Sequence, residues 1–227
     1  MFAGIGGFRA GLTRAGGFQC VGHCEIDKYA DRSYRAMHDI QPDEYFCPDA
    51  RAIKSPEIPN FDLICGGAPC QSWSVCGHRG GFNDPRGTLF FEIARIADER
   101  KTPYLLMENV PGLLSMEKGR AFAVILEILN AMGYGVEWMV LNSAAFGVPQ
   151  VRRRLFIFAY RDPRCAGKVF PLFGTKPKKL TQIIDEKQGY RVYDTAGTAC
   201  TQTANGGGGG AKTGLYLVGF NRNDGVK

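Results

Sequence analysis

Cys70 is the residue best placed by type and context for covalent chemistry. It closes Gly66-Gly67-Ala68-Pro69-Cys70, directly after the apolar run Phe61-Asp62-Leu63-Ile64-Cys65. A turn at the C-terminal end of a strand presents its side chain at the sheet edge where α/β proteins bind ligands. A nucleophilic thiol needs that exposure. An isolated cysteine reads by default as a small core hydrophobe, so its companions decide. Glu108 ends a second apolar run, Tyr104-Leu105-Leu106-Met107, and would place an acid or hydrogen-bond donor at the same edge. Arg152 and Arg154 enter a third run, Leu155 to Tyr160, at alternate positions, which share one face of a strand. A second constellation opens the chain. Gly4, Gly6 and Gly7 are followed, roughly 20 positions on, by Glu25 at the end of the next strand-like piece. Glycines let the backbone approach a ligand, and the carboxylate suits ribose hydroxyls, so the pair points to a nucleoside cofactor. The third glycine of the dinucleotide fingerprint falls on Arg9, which disfavours a hydride-transfer enzyme.

These groups need a scaffold that ends several strands at one edge. Helices are expected over Phe8 to Ala15 and Asp27 to His38, and, from their apolar spacing, over Thr88 to Arg100 and Phe122 to Met132. Strands are expected over Gln19 to Cys24, Phe61 to Cys65, Tyr104 to Val110, Val136 to Leu141 and Leu155 to Tyr160. Alternation of this kind gives an α/β fold with a mostly parallel sheet, and the last two strands, joined without a helix, predict an antiparallel edge. Near residue 165 the composition turns to Pro, Lys, Thr and Gly. The chain is therefore expected to divide into 1–164, a catalytic, cofactor-binding domain, and 165–227, a small β-rich and loop-rich unit. Gly206 to Gly210 reads as a loop within that second unit.

Composition removes other classes. A hydrophobic share of 44% with 22% charged residues argues against disorder. No run approaches the ~18 apolar residues of a membrane span. The eight cysteines form no C-x-x-C pair and there are three histidines, which disfavours zinc. No secretion signal opens the chain, so reduced thiols in a cytoplasm are expected. A net charge of +6 permits a polyanionic partner.

The motifs, in order, are Phe2-Ala3-Gly4-Ile5-Gly6-Gly7-Phe8, Glu25-Ile26-Asp27, Pro69-Cys70-Gln71-Ser72-Trp73-Ser74, Asp84-Pro85-Arg86-Gly87-Thr88-Leu89-Phe90-Phe91, Glu108-Asn109-Val110-Pro111-Gly112 and Phe146-Gly147-Val148-Pro149-Gln150-Val151-Arg152-Arg153-Arg154. Together they resemble the DNA (cytosine-5)-methyltransferases of short bacterial and phage type. The resemblance implies a Rossmann-like, S-adenosylmethionine-dependent methyltransferase sheet followed by a target-recognition unit. It implies Cys70 as nucleophile, Glu108 at the cytosine ring, and Arg152 and Arg154 positioning base and phosphate. It implies cofactor contacts from Phe2, Gly4, Gly6, Glu25, Ile26, Asp49, Pro69 and Leu89. It also implies contacts to double-stranded DNA from Gln71 and Ser74 in a closing loop, Gln188 and Arg191 at base edges, and Thr201, Gly206 and Gly207 along the backbone. No metal is implied. The activity expected is methyl transfer to C5 of a flipped cytosine in restriction–modification or phage DNA modification.

The chain departs from the family pattern in three places. Only Met1 precedes the glycine loop, where the family has a central strand whose loss leaves two neighbours short of backbone partners. The recognition segment is short, and no later Arg-rich or Gly-Asn-Ser element is visible before Lys227. These departures keep other readings open: an inactive DNA-binding fragment, one half of a split enzyme completed by a second polypeptide, and a relative acting on cytosine in tRNA.

Overall fold

The computed structural model describes residues 1–69 and 89–175, together with the backbone of three short strands, Gln182–Ile184, Val192–Asp194 and Leu215–Leu217. The chain forms two compact units. One is Met1–Val140 with Arg154–Pro171, the other Leu141–Arg153 with Leu172–Lys227.

In the first unit the glycine loop runs into α1 (Gly7–Ala15), then β1 (Gly22–Cys24) and α2 (Lys28–Met37). Asp27 starts α2 by accepting hydrogen bonds from the Tyr29 and Ala30 backbone amides. β2 (Tyr45–Cys47) lies parallel to β1, with Cys24 opposite Cys47. β2 is absent from the strands expected above, because its three residues were not read within a longer strand-like run such as the one around β1. β3 (Leu63–Gly66), α3 (Leu89–Glu99), β4 (Tyr104–Asn109), α4 (Arg120–Ala131), β5 (Gly135–Asn142) and β6 (Arg153–Tyr160) follow.

Four of these strands form a sheet in the order β3-β4-β6-β5. β3 is parallel to β4 and β6 is antiparallel to it. The mixed sheet agrees with the expectation, with the detail that β6 inserts between β4 and β5. Opposite partners Leu105 with Ala159, and Met107 with Ile157, bury one face, and Leu155 continues it. α3 buries Phe90, Ile93, Ala94, Ile96 and Ala97, and α4 buries Ala121, Phe122, Ile125 and Leu129. Recurrence at three and four residues gives each helix one apolar face.

β1 and β2 form a separate two-stranded sheet. Residues Met1 to Ala3 connect the two sheets. The Met1 ammonium donates to the Cys65 carbonyl at 2.6 Å, and the Ala3 amide donates to the Cys24 carbonyl at 3.0 Å.

Within the second unit, Asn142 accepts from the amides of Ala144 and Arg152, and the Ser143 hydroxyl donates to the Gln150 carbonyl. β7 (Gln182–Ile184), β8 (Val192–Asp194) and β9 (Leu215–Leu217) form a sheet in that order, antiparallel then parallel. The glycine run falls between β8 and β9 and lies outside the described residues. Among the described residues, no helix is long and apolar enough to cross a membrane.

His23, on β1, is buried between the rings of Tyr34 and Phe46, at 4.2 and 4.9 Å. Its Nε2 donates to Asp31 at 2.8 Å, with Arg35 on the same carboxylate, while Nδ1 has no hydrogen-bond partner among the described residues. Burial therefore pushes the imidazole pKa down, against the pull of Asp31.

Two predictions follow from this packing. Leu155→Ala, which empties a fully buried position on β6, is expected to cost about 2–5 kcal/mol in urea unfolding; a loss under about 1 kcal/mol would remove Leu155 from the core. The unfolded chain protonates His23 before the folded chain does, so stability present above about pH 6.5 is lost as pH falls below it, by at most about 1.4 kcal/mol per pH unit. His23→Gln should flatten the melting-temperature profile between pH 7.5 and 5.5, and parallel profiles for the two proteins would refute the assignment.

Candidate active site

The parallel pairing of β3 with β4 brings their C-terminal ends out at one edge, with Gly66 opposite Met107. Antiparallel β6 begins at that same edge, since Asn109 faces Leu155. Glu108 lies opposite Phe156. Arg154 is two residues before Phe156, so it shares Glu108's face of the sheet. The Arg154 Nε contacts Glu108 Oε1 at 2.7 Å, with the two side chains 21% and 26% exposed. A Cβ on Gly67 would come within 3.1 Å of Glu108 Oε2, so the glycine after β3 leaves room for the carboxylate. Asn109 ties the two strand ends together: its amide nitrogen donates to the Ala68 carbonyl at 3.0 Å and its oxygen accepts from the Val110 amide at 2.8 Å. The sequence reading assigned Asn109 no role. A polar residue directly after the acid, at the end of a buried strand, was the available signal.

Pro69 is exposed at the end of this turn. Cys70, the expected nucleophile, and Gln71 and Ser74 lie outside the described residues, as do Gln188, Arg191, Thr201, Gly206 and Gly207. Arg152 stands just before β6, in the second unit, with its backbone held by Asn142 and by the Ser143 amide, which donates to its carbonyl.

The second constellation gathers around the glycine loop. The Gly4 amide donates to Glu25 Oε2 at 2.7 Å, and Glu25 Oε1 accepts from the Asp27 amide at 2.9 Å. Gly6 is left-handed at φ 88°, and its amide closes a tight turn onto the Ala3 carbonyl. Phe2 is also left-handed, at φ 54°, an unusual backbone for a residue with a Cβ. Parallel β1 and β2 send Glu25 and Asp49 out at one edge. Asp49 caps the turn Ala50–Ala52 and pairs with Arg51 at 2.7 Å, and hydrogen bonds from Arg51 hold its pKa below the usual carboxylate value. Ile26 is 67% exposed beside Glu25, an apolar side chain with little to cover it. Leu89 is half-buried at the start of α3.

This region suits a nucleoside. Each Glu25 oxygen serves one backbone amide, and a carboxylate has about four acceptor sites, so capacity remains for hydroxyl donors. Among the described residues, nothing lies within 4 Å of the position a Cβ would take on Gly4. Among the described residues, no group of three His, Cys, Asp or Glu side chains could hold a metal ion.

A family profile described as C-5 cytosine-specific DNA methylase matches residues 1–205. The chain is 44% identical, over 71% of its length, to the orphan methyltransferase M.SPRI of Bacillus phage SPR, covering 37% of that protein. It is 35% identical, over 96% of its length, to the type II methyltransferase M.HhaI of Haemophilus parahaemolyticus, covering 77% of it. The chain thus spans from about a third to about three quarters of the curated relatives it matches. Among solved structures, the Dnmt2 methyltransferase of S. pombe aligns over 98% of this chain and 76% of its own, with a TM-score of 0.67 and 17% identity, a likeness of fold.

The glycine loop generates a direct test. A Cβ on Gly6 would overlap His38 Nε2 and approach Tyr34 Cδ2 to 2.9 Å, in a backbone conformation that itself disfavours a side chain. Gly6→Ala is expected to lower stability by about 1–3 kcal/mol in urea unfolding. An unchanged midpoint would show that the loop does not require this geometry.

Proposed function

The chain belongs to the C-5 cytosine-specific DNA methylase family, and on that premise we propose that it transfers a methyl group from S-adenosylmethionine to C5 of a cytosine turned out of duplex DNA. The observation that supports this most is the convergence, at one sheet edge, of the turn that leads from β3 towards Cys70 with the Glu108 carboxylate and the Arg154 guanidinium. DNA is favoured over tRNA by the description of the matching family and by the type II methyltransferases among the relatives.

Carbon 5 of cytosine is a weak nucleophile. In our reading the Cys70 thiolate bonds to C6, and the C5–C6 π electrons move towards C5. Glu108 holds N3 of the ring or lends it a proton, which it takes back when the ring is restored, drawing electrons away from C6 and easing the attack. Arg154 holds O2 of the base and Arg152 an adjoining phosphate. S-adenosylmethionine, when bound, supplies a methyl group on a positively charged sulfur, which the electron-rich C5 accepts. The C5 proton then passes to a base and the Cys70–C6 bond breaks, restoring both the ring and the thiolate.

Phe2, Gly4 and Gly6 would hold the methionine part of that molecule and Glu25 its ribose. Ile26 would cover the adenine, Asp49 would accept from its amino group, and Pro69 and Leu89 would complete the pocket. We assign catalysis and cofactor binding to residues 1–164 and target recognition to 165–227. Gln71 and Ser74 would close over the DNA, Gln188 and Arg191 would read bases, and Thr201, Gly206 and Gly207 would follow the backbone. The setting that fits is the cytoplasm of a bacterial or phage-infected cell, where DNA is modified.

A duplex carrying 5-fluorocytosine tests the covalent step, because fluorine cannot leave as a proton and the adduct persists. The protein is expected to form a denaturation-resistant complex with such DNA in the presence of cofactor. Cys70→Ala should abolish both this complex and methyl transfer while changing DNA affinity less than about threefold. Glu108→Gln should lower turnover by about 10²–10⁴-fold. Turnover by Cys70→Ala, or no complex with DNA carrying 5-fluorocytosine in every sequence context, overturns the reading.

A further inference from the structure

Arg9 stands where a dinucleotide-binding loop would carry its third glycine, and the reaction above gives it no part. The structure places it in a packed polar cluster behind the loop. Its two terminal nitrogens grip both oxygens of Glu44, at 2.7 and 2.8 Å, with the side chains only 12% and 3% exposed. The same guanidinium reaches the Tyr34 hydroxyl at 3.4 Å and the Asp39 carbonyl. Arg9 thereby fixes the first turns of α1 to the far end of α2 and the segment after it. Tyr34 is buried at 2% exposure, and its ring lies against Gly6 on one side and against His38, at 4.7 Å, on another.

His38 completes the arrangement. Its Nε2 donates to the Ile5 carbonyl at 3.1 Å. The other end of the same peptide unit, the Gly6 amide, donates to Ala3. Both polar groups of the Ile5–Gly6 peptide are therefore engaged, and its plane is fixed. A peptide plane sets the direction of the carbonyl and amide on either side of it, because rotation about the C–N bond is blocked.

We propose that His38, braced through Tyr34 by the Arg9–Glu44 pair, is a positioning residue that holds the Ile5–Gly6 peptide in the orientation S-adenosylmethionine requires. It acts through the loop, and its effect falls on cofactor affinity. The proposal rests on the reading of the loop as the cofactor site, and its test separates the two. Glutamine at 38 can place an amide nitrogen near the position of the imidazole Nε2, whereas leucine keeps bulk and loses the donor.

The experiment compares wild-type protein, His38→Gln and His38→Leu. Calorimetry with S-adenosylhomocysteine measures affinity, and hydrogen exchange of the Gly4–Gly7 amides is followed in cofactor-free protein. Urea unfolding verifies that each sample is folded. His38→Leu is expected to weaken binding at least tenfold and to speed exchange in the loop. His38→Gln should restore both to within about threefold of wild type. Should His38→Leu not fold, Glu44→Gln, which loosens the brace from the other end, is expected to speed exchange in the same amides and weaken binding. Loop exchange unchanged in the folded variants overturns the inference whatever the cofactor. Equal losses in His38→Gln and His38→Leu reduce His38 to a packing residue and also overturn it. Failure of wild-type protein to bind S-adenosylhomocysteine, with the exchange pattern as expected, overturns the cofactor reading and leaves the loop geometry standing.

Discussion

Hydrogen bonding along β4 runs to a parallel neighbour on one side and to an antiparallel neighbour on the other. A parallel neighbour leaves the sheet at the edge where β4 leaves it, and an antiparallel neighbour enters there. An acid at the end of one strand, an arginine at the start of another and a turn at the end of a third therefore meet without long connecting loops. The register is as consequential as the direction. A slip of one residue between β4 and β6 would carry Arg154 to the opposite face from Glu108 and expose Leu155 and Ile157 in the same movement. The apolar core that fixes this register thus also fixes the ion pair.

The glycine loop is governed differently. Its geometry depends on a few directed contacts: Glu25 on the Gly4 amide, Ala3 on the Gly6 amide and His38 on the Ile5 carbonyl. Behind them the Arg9–Glu44 pair is nearly excluded from water. In such a pair, removal of one partner strands the other charge, at a cost of about 3–5 kcal/mol. Among the described residues, the loop is open towards the side where a Cβ on Gly4 would project, and crowded where one on Gly6 would.

Much of this was legible in the residues themselves. α3 and α4 announce themselves by apolar spacing, whereas α1 and α2 bury almost nothing and read only as helix-like runs. β3, β4 and β6 read as short apolar runs, and Glu108 and Arg154 stand out as charged residues at the ends of such runs. β2 and β7 did not show, since neither three-residue strand was read within a longer strand-like run of the kind that Gln19 to Cys24 gives β1. Asn142 was silent for another reason, and Asn109 offered only its place directly after the acid. An asparagine's value depends on which backbone groups come near it, and Ala68 and Arg152 do so only once the chain has folded. The Arg9–Glu44 pair was hidden likewise, because neither residue signals a partner so distant in sequence. The turn after β3 and its charged companions marked Cys70 as a candidate nucleophile, and the order of the motifs supplied the reaction assigned to it.

Glu108 is translated well before Arg154, with α4 and β5 between them. β3 and β4 are both complete before β5 is made, and β6, made last of the four, takes its place between β4 and β5. Pairing across such separations raises contact order and slows folding. The ion pair at the sheet edge can form only after β6 has been made, and a nascent chain stalled before residue 154 would have its acid but not its arginine.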